Sequence, residues 1–464
     1  MDTEAFRDLL TPRGRDLLAE ANGADLSEAA LLATATRLRG RFPAELVNAA
    51  LTQLRLRDRA RAKFGDDASR MFFTPAGLEQ STRAGVAAHR ARRFADLPKI
   101  HRTLEVGCGI GADLIARARA GVPGDGVELD PLTAEVARAN LAAFDLAELA
   151  SVRVGDGTAV QLASTGAPLR GAGGTTAGES DARPILSEGG THAAEGAAFR
   201  GGRVDGAAYG AMFADPGRRT ARGRVFDPRA YEPPLDVVLG MAHSVPAACV
   251  KVAPGIPHEA VPDGAEAEWI SVGGDVKEAA LWLGELAGTA RRRATLIPAA
   301  QGSAFRAPDV HTLVPDEGLG DPEVRGWGRY LYEPDGAVIR AHLVAEVAAT
   351  VDGGLVDPRI AYIASDALVE TPFAASYEVE DVLPFSVKRL RAELRRRGTG
   401  ILTIKKRGFA ADVDRLRRDL GFGSARRAGT EETTVVLTRV GDDPVAVLAR
   451  PVTAPARPAN APAG

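Results

Sequence analysis

The 464-residue sequence is poor in the features that mark several classes of protein. Its two cysteines, Cys108 and Cys249, are too few for a disulfide framework and are typical of a reducing compartment. No run of about 18 apolar residues occurs, and the charged N-terminus MDTEAFRDLL lacks the apolar core of a signal peptide. The seven histidines show no metal-ligand spacing. We therefore expect a cytoplasmic protein with no metal site.

The sequence also has little net charge and few aromatic residues. Its formal charge is -3 and aromatic residues make up 5%. This balance gives no whole-protein case for nucleic-acid binding, so any basic surface must be local. An apolar content of 45% and a charged content of 26% are ordinary for a globular protein, and the length allows two or three domains.

Hydrophobic periodicity predicts helices up to about residue 95, followed by a strand–helix alternation up to about residue 299. In the first region, leucine and alanine recur near helical spacing, and Asp25 or Ser27 can begin one helix. The alternation predicts a parallel sheet covered by helices. Its strand-like runs are TLEVG (103–107), GDGVELD (124–130), SVRVGD (151–156), AMFAD (211–215), AACVKVAPG (247–255) and ATLIPA (294–299).

The rest of the chain predicts a second α+β unit. Its expected strands are 329–333, 401–406 and 433–439, and its expected helices are 387–397 and 410–421. The domains that we predict are a helical region (1–95), an α/β domain (96–305), a basic α+β domain (306–451) and a disordered tail (452–464). Within the α/β domain, residues 162–208 are rich in Gly, Ala, Ser and Thr, which predicts a flexible insertion.

The most informative motif is LEVGCGIGADL at residues 104–114. A short β run leads into Gly107, Gly109 and Gly111, and a helix follows. Such a turn lets the backbone approach a nucleotide-like ligand, with helix N–H groups facing it. The pattern also fits the G-x-G-x-x-G/A fingerprint of nicotinamide dehydrogenases, with Ala112 at the last position. The loop alone therefore does not discriminate between these ligands.

Three acids near the loop favour one ligand class. Glu105 lies two residues before the first glycine, where a carboxylate suits a positively charged amino group and repels a pyrophosphate. Glu128 follows about 20 residues later, where an acid can accept hydrogen bonds from both ribose hydroxyls. Asp156, at the end of the third strand, can accept from an adenine amino group. The alternative is that all three are exposed acids at strand ends.

Taken in order, EVGCGIG, VELDP and GDG resemble the class I S-adenosylmethionine-dependent methyltransferases over residues 103–300. The resemblance implies a Rossmann-like sheet and S-adenosylmethionine as cofactor. Within it, Glu105 contacts the methionine end, Glu128 the ribose and Asp156 the adenine, and we expect Cys108 to be a packing residue of the loop. The full set of implied cofactor-binding residues is Glu105, Gly107, Cys108, Gly109, Gly111, Glu128, Asp130, Asp156 and Gly157.

The fourth strand leads into FADPGRR, residues 213–219, which resembles the D-P-P-[YFW] signature of enzymes that methylate amino groups on bases. The resemblance implies that Asp215 and the Pro216 carbonyl accept hydrogen bonds from the attacking amine, with Arg218 also in the catalytic set. Gly217 replaces the second proline, and Arg218 replaces the aromatic residue. Arg218 and Arg219 can instead bind a phosphate or carboxylate.

Two residue types at this site bear on other chemistries. Lys251, on the fifth strand, can serve as a base for an oxygen nucleophile or can be structural. No second cysteine lies in a loop of the kind that attacks pyrimidines, so we do not expect covalent carbon-5 methylation. The tripeptides that begin at Asp227 and Asp357 repeat the Asp-Pro pair, and we expect ordinary turns there.

A segment upstream, MFFTPAGLEQSTRAGVAAHRARRF (71–94), resembles the F-T-P segment of cap trimethylguanosine synthases. The resemblance implies that Phe72, Phe73, Thr74 and Pro75 pass over the cofactor pocket. It also implies that Gln80 and Arg83 support that pocket. The alternative is an ordinary helix start, with Thr74 as N-cap and Pro75 at the first helical position.

The region from residue 384 to 427 carries fourteen Lys or Arg and four acids, a local charge of +10. Such asymmetry is typical of a polyanion-binding module, although a solvated helical face is the alternative. The layout resembles actinobacterial methyltransferases with a C-terminal THUMP-like domain, which implies RNA binding. True THUMP domains generally precede the catalytic domain, whereas this unit follows it. The substrate-binding residues that we expect are Arg219, Lys405, Lys406 and Arg407.

The sequence therefore predicts an S-adenosylmethionine-dependent methyltransferase acting on a base nitrogen in tRNA or rRNA. Two alternatives stay open at this point. One is a small-molecule or protein methyltransferase, and the other is a non-catalytic binding protein built on the same fold.

Overall fold

The computed structural model describes residues 2–25, 27–97, 102–162, 209–217, 219–220, 223–224, 227–299, 305–422 and 431–452. Except for residues 162 and 452, the predicted insertion and tail lie outside the described residues, as does Arg218. None of the helices in these ranges is both long and apolar enough to cross a membrane.

The N-terminal region is helical, as predicted. Its helices are α1 (Thr3–Leu10), α2 (Pro12–Ala21), α3 (Glu28–Arg39), α4 (Ala44–Phe64), α5 (Pro75–Gln80) and α6 (Ala84–Ala95). Side chains of Asp2 and Thr11 cap the first two, and α3 begins directly after Ser27. Their apolar faces join one core with the helices that follow the first two strands of the central sheet, through residues such as Phe64 and Ile115. The N-terminal helices thus form an outer layer over those helices.

A nine-stranded sheet forms the centre of the molecule, in the order β11-β10-β8-β9-β7-β4-β1-β2-β3. Strands β3, β2, β1, β4 and β7 are parallel to their neighbours in that row. The strands are β1 (Thr103–Val106), β2 (Gly124–Glu128), β3 (Ala150–Val154), β4 (Ala211–Ala214), β7 (Ala247–Val252), β8 (Glu266–Val272), β9 (Asp275–Gly284), β10 (Arg292–Ile297) and β11 (His311–Leu313). A separate two-stranded ribbon consists of β5 (Arg219–Thr220) and β6 (Gly223–Arg224).

Helices cover both faces of this sheet. They are α7 (Ala112–Arg119), α8 (Pro131–Ala143) and α9 (Leu235–Ala242). Alternate residues of β4 face the two sides of the sheet. Met212 and Ala214 join the core beneath α9, whereas Phe213 joins the core beneath α6. The parallel, helix-covered half of the sheet confirms the α/β fold class predicted from the sequence.

The predicted alternation of strand and helix is wrong between β7 and β10. Residues 266–284 form an antiparallel hairpin, and β9 pairs with β7 as well as with β8. The turn contains Gly273 and Gly274, both with positive φ. Most of β8 and the second half of β9 are buried, so their apolar run lacks the period-two pattern that marks a half-exposed strand.

The C-terminal unit contains a seven-stranded sheet in the order β13-β14-β12-β15-β18-β17-β16. The predicted strands and helices are present, and four further strands were not predicted: β13, β14, β15 and β18. The elements are β12 (Tyr330–Pro334), α10 (Gly336–Arg340), α11 (Val344–Thr350), β13 (Gly354–Asp357), β14 (Ile360–Ser365), β15 (Ala374–Pro384), α12 (Val387–Arg396), β16 (Thr399–Lys406), α13 (Val413–Asp419), β17 (Glu431–Val440) and β18 (Asp443–Pro451).

Helices α10 and α11 connect the two sheets. Ala337 and Val338 of α10 share one apolar core with Trp269 and Leu296 of the central sheet. The same core continues to Tyr332 on β12. The apolar core therefore runs across the domain boundary expected near residue 305.

Candidate functional site

The carboxyl ends of β1–β4 and β7 meet at a cavity of about 1110 Å³. Helix α5 and its flanking residues form the opposite wall. Of the residues predicted to bind the cofactor, those lining the cavity are Glu105, Gly107, Cys108, Gly109, Glu128, Asp130, Asp156 and Gly157; the predicted acceptor residues Asp215 and Pro216 line it as well. Gly111 lies just behind the lining, where it caps α7. The structure therefore brings these predicted residues together at the edge of the sheet where ligands of open α/β proteins bind.

The glycine loop after β1 requires glycine for conformation and for close packing. Gly107, Gly109 and Gly111 have φ values of +72°, +55° and +85°. A Cβ at Gly111 would lie 3.5 Å from the Cβ of Ala137 on α8. Cys108, between the glycines, is buried, and burial raises the pKa of its thiol well above the ordinary value. It is therefore a neutral packing group rather than a thiolate.

Glu128 organises the loop through both carboxylate oxygens. Its Oε2 accepts a hydrogen bond from Gly109 N at 2.8 Å, and its Oε1 accepts one from Asp130 N at 3.0 Å. Asp130 in turn caps α8 by accepting from Thr133 N at 2.7 Å. Glu128 is half-buried at the cavity wall, so its orientation is fixed before any ligand binds.

Asp156 is exposed, and its Oδ1 accepts from both Thr158 N, at 2.8 Å, and Thr158 Oγ1, at 2.7 Å. These bonds lower the pKa of Asp156, with the hydroxyl bond as the larger cause. The carboxylate is thus held at the cavity rim as an acceptor.

Glu105 is buried under α7 and forms an ion pair with Arg117. Burial raises the pKa of Glu105 to about 8, because the loss of hydration outweighs the attraction of Arg117. The guanidinium group of Arg117 lies 5.2 Å from the ring of Phe213. Arg117 could not be predicted as this partner, because it lies on an ordinary amphipathic helix.

Asp215 forms an ion pair with Lys251 at the end of β4. Lys251 Nζ lies 2.6 Å from Asp215 Oδ2 and donates to Thr82 Oγ1 at 3.0 Å. Burial alone would lower the pKa of Lys251, but Asp215, followed by neighbouring acids, raises it above the ordinary value. Of the two roles left open for Lys251, the protonated partner fits this geometry, whereas a free amine base does not.

A wider buried network surrounds this pair. Arg90 on α6 contacts both Asp113 and Glu278, and Glu278 Oε2 lies 3.8 Å from Lys251 Nζ. Burial would raise the pKa of Asp113, yet Arg90, with smaller contributions from Lys251 and Arg117, holds it below the ordinary value. Sequence reasoning missed Arg90, Asp113 and Glu278 because they come from three elements that are distant in the chain.

Gly217 explains why the motif departs from D-P-P. Its N–H donates to Glu232 O at 2.7 Å, and Glu232 N donates back to Gly217 O at 2.9 Å. A proline at residue 217 could not donate the first bond. A Cβ there would also lie 3.3 Å from Glu232 O. The bridge brings Glu232 and Pro233 to the cavity wall beside Asp215.

The two other Asp-Pro pairs form turns, as expected. Asp227 Oδ1 accepts from Arg229 N at 3.0 Å, and Asp357 Oδ1 accepts from Arg359 N at 2.8 Å. Neither lines the cavity. Two arginines predicted beside Asp215 cannot be placed in the same way, because Arg218 and the side chain of Arg219 lie outside the described residues.

The F-T-P segment begins a helix, and part of it also lines the cavity. Thr74 Oγ1 accepts from Gly77 N at 2.9 Å and Pro75 begins α5, which confirms the helix start. Thr74, Pro75, Gln80 and Arg83 also line the cavity. Phe72 and Phe73 are buried behind it.

The three consecutive cations 405–407 do not share one surface. Lys405 Nζ bonds to Glu333 Oε2, and Arg407 Nη2 lies 3.8 Å from Glu333 Oε1, on the face of the C-terminal sheet that contains Tyr377. Lys406 points to the opposite face, where its Nζ donates to Ala411 O at 2.5 Å. That second face carries α12 and α13, packed through Leu390 and Leu416.

Comparison with known proteins identifies the family. An uncharacterized S-adenosylmethionine-dependent methyltransferase of Mycobacterium tuberculosis, present in strains CDC 1551 and H37Rv, is 32% identical over 397 residues, which cover 83% of this chain and 91% of the relative. The chain belongs to the S-adenosylmethionine-dependent methyltransferases. It is therefore an enzyme that uses S-adenosylmethionine.

Two family models match parts of this methyltransferase. Residues 374–451 match the THUMP domain-like family, and residues 2–60 match a domain of unknown function, DUF8688. The crystal structure of a protein assigned as a methyltransferase from Porphyromonas gingivalis W83 superposes with a TM-score of 0.61 at 19% identity, covering 89% of this chain and 92% of that one. That similarity supports the fold.

The cavity of the methyltransferase fits a cationic cofactor with a nucleoside. Its described lining contains nine acids (Glu79, Glu105, Asp113, Glu128, Asp130, Asp156, Asp215, Glu232 and Glu278) and four bases (Lys63, Arg83, Lys251 and Lys277). Such a lining suits a sulfonium and an ammonium group and disfavours a pyrophosphate. The glycines of the loop have no side chain, so a ligand can approach the backbone closely there.

Proposed function

We propose that this methyltransferase methylates a base nitrogen in tRNA or rRNA. The observation that carries the proposal is a basic surface on the helical face of the THUMP-like unit. Lys388, Arg389 and Arg395 on α12 are exposed, and none of their side chains has an ion pair or hydrogen bond to another described residue. Exposed, unpaired cations on one face are the electrostatic requirement for phosphate contacts.

Further cations extend this surface. Arg415 and Arg418 on α13 are exposed, and α13 packs on the same sheet face as α12. Lys406 projects to that face too. We therefore assign RNA phosphates to this helical surface. Lys405 and Arg407 lie on the other face, where Glu333 binds both. Charge reversal of these two residues can be compared with charge reversal on the helical surface.

In the catalytic unit, we assign Glu105 to the methionine amino group, Glu128 to the ribose hydroxyls and Asp156 to the adenine. The glycine loop, Asp130 and Gly157 complete the cofactor wall. S-adenosylmethionine supplies a methyl group already activated by its sulfonium, so the protein's task is orientation rather than activation.

Asp215 and the Pro216 carbonyl are the proposed acceptors for the hydrogens of the attacking amine. Lys251 binds Asp215 Oδ2, which fixes the carboxylate plane. Hydrogen bonds from the amine to Asp215 and Pro216 then orient the nitrogen lone pair. We also keep Arg218 and Arg219 in the proposal, as contacts to an acceptor phosphate or carboxylate.

The described lining of the cavity contains no aromatic residue. A base entering it would therefore pack on Pro216, on Pro233 and on aliphatic side chains. Nucleobases extruded into enzyme pockets pack on apolar as well as aromatic groups, so this lining is compatible with a base acceptor.

The test is nucleoside mass spectrometry of tRNA and rRNA from a deletion strain and its parent. The proposal predicts that one methylated nucleoside disappears in the deletion strain and returns with the wild-type gene. If no modified nucleoside changes, the acceptor is not RNA, and labelled methyl transfer into protein and small-molecule fractions becomes the test of the alternatives.

A further inference from the structure

Residues 71–74, here called the clamped segment, run behind the cofactor cavity in neither a helix nor a strand, and without a strand partner among the described residues. Buried backbone outside regular structure must find hydrogen-bond partners elsewhere. Met71, Phe72 and Phe73 are all buried. Side chains from two helices supply the partners.

Three side chains bind the backbone of the clamped segment. Arg57 Nε donates to Met71 O at 2.8 Å. Gln53 accepts from Phe73 N at 3.0 Å and donates to Phe73 O at 2.7 Å. Asn140 on α8 accepts from Phe72 N at 2.7 Å and donates to Phe72 O at 3.1 Å. Gln53 and Asn140 thus each bind both the N–H and the carbonyl of one residue, which are the groups that a neighbouring strand would bind.

Asn140 also makes a bond to the glycine loop. Its Nδ2 also donates to Ile110 O at 2.9 Å, inside the glycine loop. Asn140 is fully buried, with 0% of its surface exposed. One amide therefore holds both the clamped segment and the loop that faces the cofactor.

Helix α5, which follows the clamped segment, packs directly on the same loop residue. A Cβ at Gly77 would overlap Ile110 Cγ2, so only glycine permits this approach. Ile110 is consequently fixed from two sides, by Asn140 through its carbonyl and by α5 through its side chain. Both walls of the cofactor cavity meet at this residue.

We infer that Asn140 is a positioning residue for the cofactor site. It sets the affinity for S-adenosylmethionine by holding the glycine loop and the clamped segment in fixed positions relative to each other. The inference rests on the proposed placement of the cofactor against that loop. Removing the amide would leave Ile110 O and Phe72 N without partners and free the loop to shift. The expected loss is in cofactor affinity as well as in stability.

The test compares Asn140→Ala with Gln53→Ala, because both release the clamped segment but only the first releases the loop. We expect S-adenosylmethionine Kd, measured by calorimetry, to rise at least about tenfold for Asn140→Ala and less than about threefold for Gln53→Ala. Amide hydrogen exchange in the 104–114 peptide should accelerate only for Asn140→Ala. Equal losses of affinity in the two variants, or wild-type affinity in folded Asn140→Ala, would overturn the inference.

Two further variants keep the outcome unambiguous. Asn140→Leu keeps a similar side-chain volume and removes the amide without adding a charge, so it serves if Asn140→Ala does not fold, with the same affinity loss expected. Glu128→Ala checks the cofactor site itself. If Glu128→Ala retains wild-type affinity, the proposed site fails; if it loses binding while both Asn140 variants keep it, only the positioning role fails.

Discussion

Lys251 Nζ and Asp215 Oδ2 lie 2.6 Å apart at the junction of β7 and β4, with the lysine almost completely buried. A protonated lysine in this position cannot remove a proton from the methyl-accepting group. It can fix the plane of the Asp215 carboxylate, which accepts hydrogen bonds from that group. The pair therefore favours catalysis by orientation, as expected for a reaction whose methyl group is already activated.

Lys251→Met tests this role. Half-buried Asp215 and buried Glu278 would lose their shared cation, so we expect stability to fall by about 3 kcal/mol in urea unfolding. Methyl transfer to RNA from the deletion strain should fall about 100-fold because Asp215 is misoriented, while S-adenosylmethionine still binds. Lys277→Met is the matched control, since Lys277 also lines the cavity but pairs with exposed Asp275. Wild-type transfer by Lys251→Met would contradict the role.

Gly217→Pro restores the D-P-P sequence but removes the N–H that binds Glu232 O. We expect a loss of about 1–3 kcal/mol in stability from the unpaired carbonyl, together with reduced methyl transfer. Gly217→Ala keeps the N–H and is the control, with a smaller loss that reflects its tight contact with Glu232. A Gly217→Pro variant more active than wild type would show that the bridge is dispensable.

The pKa of Glu105 gives a pH dependence of cofactor binding. Its folded-state pKa is raised from 4.5 to about 8, so burying the ionised carboxylate costs stability, and the cost grows as pH rises through this window. An ammonium ligand favours the ionised form, so binding between these pH values releases a proton. Calorimetry near pH 6.5 in buffers of different ionisation enthalpy should detect this release.

Glu105→Gln provides the control for that experiment. The variant lacks the Glu105 carboxyl, so the proton release that this group causes should vanish, and affinity should no longer improve as pH approaches 8. If wild type and Glu105→Gln release the same number of protons, Glu105 does not meet the methionine amino group.

Charge reversal of Lys388, Arg389 and Arg395 to Glu tests the RNA surface. Binding to bulk tRNA should weaken strongly, and the dependence of log K on log salt should become shallower by about 0.7–0.9 per lost phosphate contact. Reversal of Arg55, Arg59 and Arg92, exposed on the N-terminal helices, changes net charge equally and is the control. Equal weakening by both triples would mean that net charge, not this surface, governs binding.

The sequence predicts those site residues whose place in the sheet follows from the order of strands and loops along the chain. A glycine loop after the first strand and acids after the next two must meet at one sheet edge, which is why Glu105, Glu128 and Asp156 all line the cavity. Asp215 lies at the end of the next strand along the chain. The alternation and its parallel topology predicted these positions, whereas the roles came from the resemblance to class I methyltransferases.

What could not be predicted depends on contacts between distant segments. Arg90 looked like one of many surface arginines on α6, yet it lies against acids from two other elements. The hairpin at 266–284 was missed because burial on both faces hides strand periodicity. Lys405 and Arg407 were separated from Lys406 by the pleat of β16, which a count of charges cannot show.

The most direct test of the account is methyl transfer from labelled S-adenosylmethionine to RNA of a deletion strain. Wild-type protein should label one nucleoside at a base nitrogen in that RNA and leave parental RNA unlabelled, because the parental site is already methylated. Asp215→Ala, which removes the acceptor oxygens, should bind S-adenosylmethionine with wild-type affinity but transfer at least about 100-fold more slowly. Equal labelling of both RNAs, or wild-type transfer by Asp215→Ala, would contradict the proposed acceptor site.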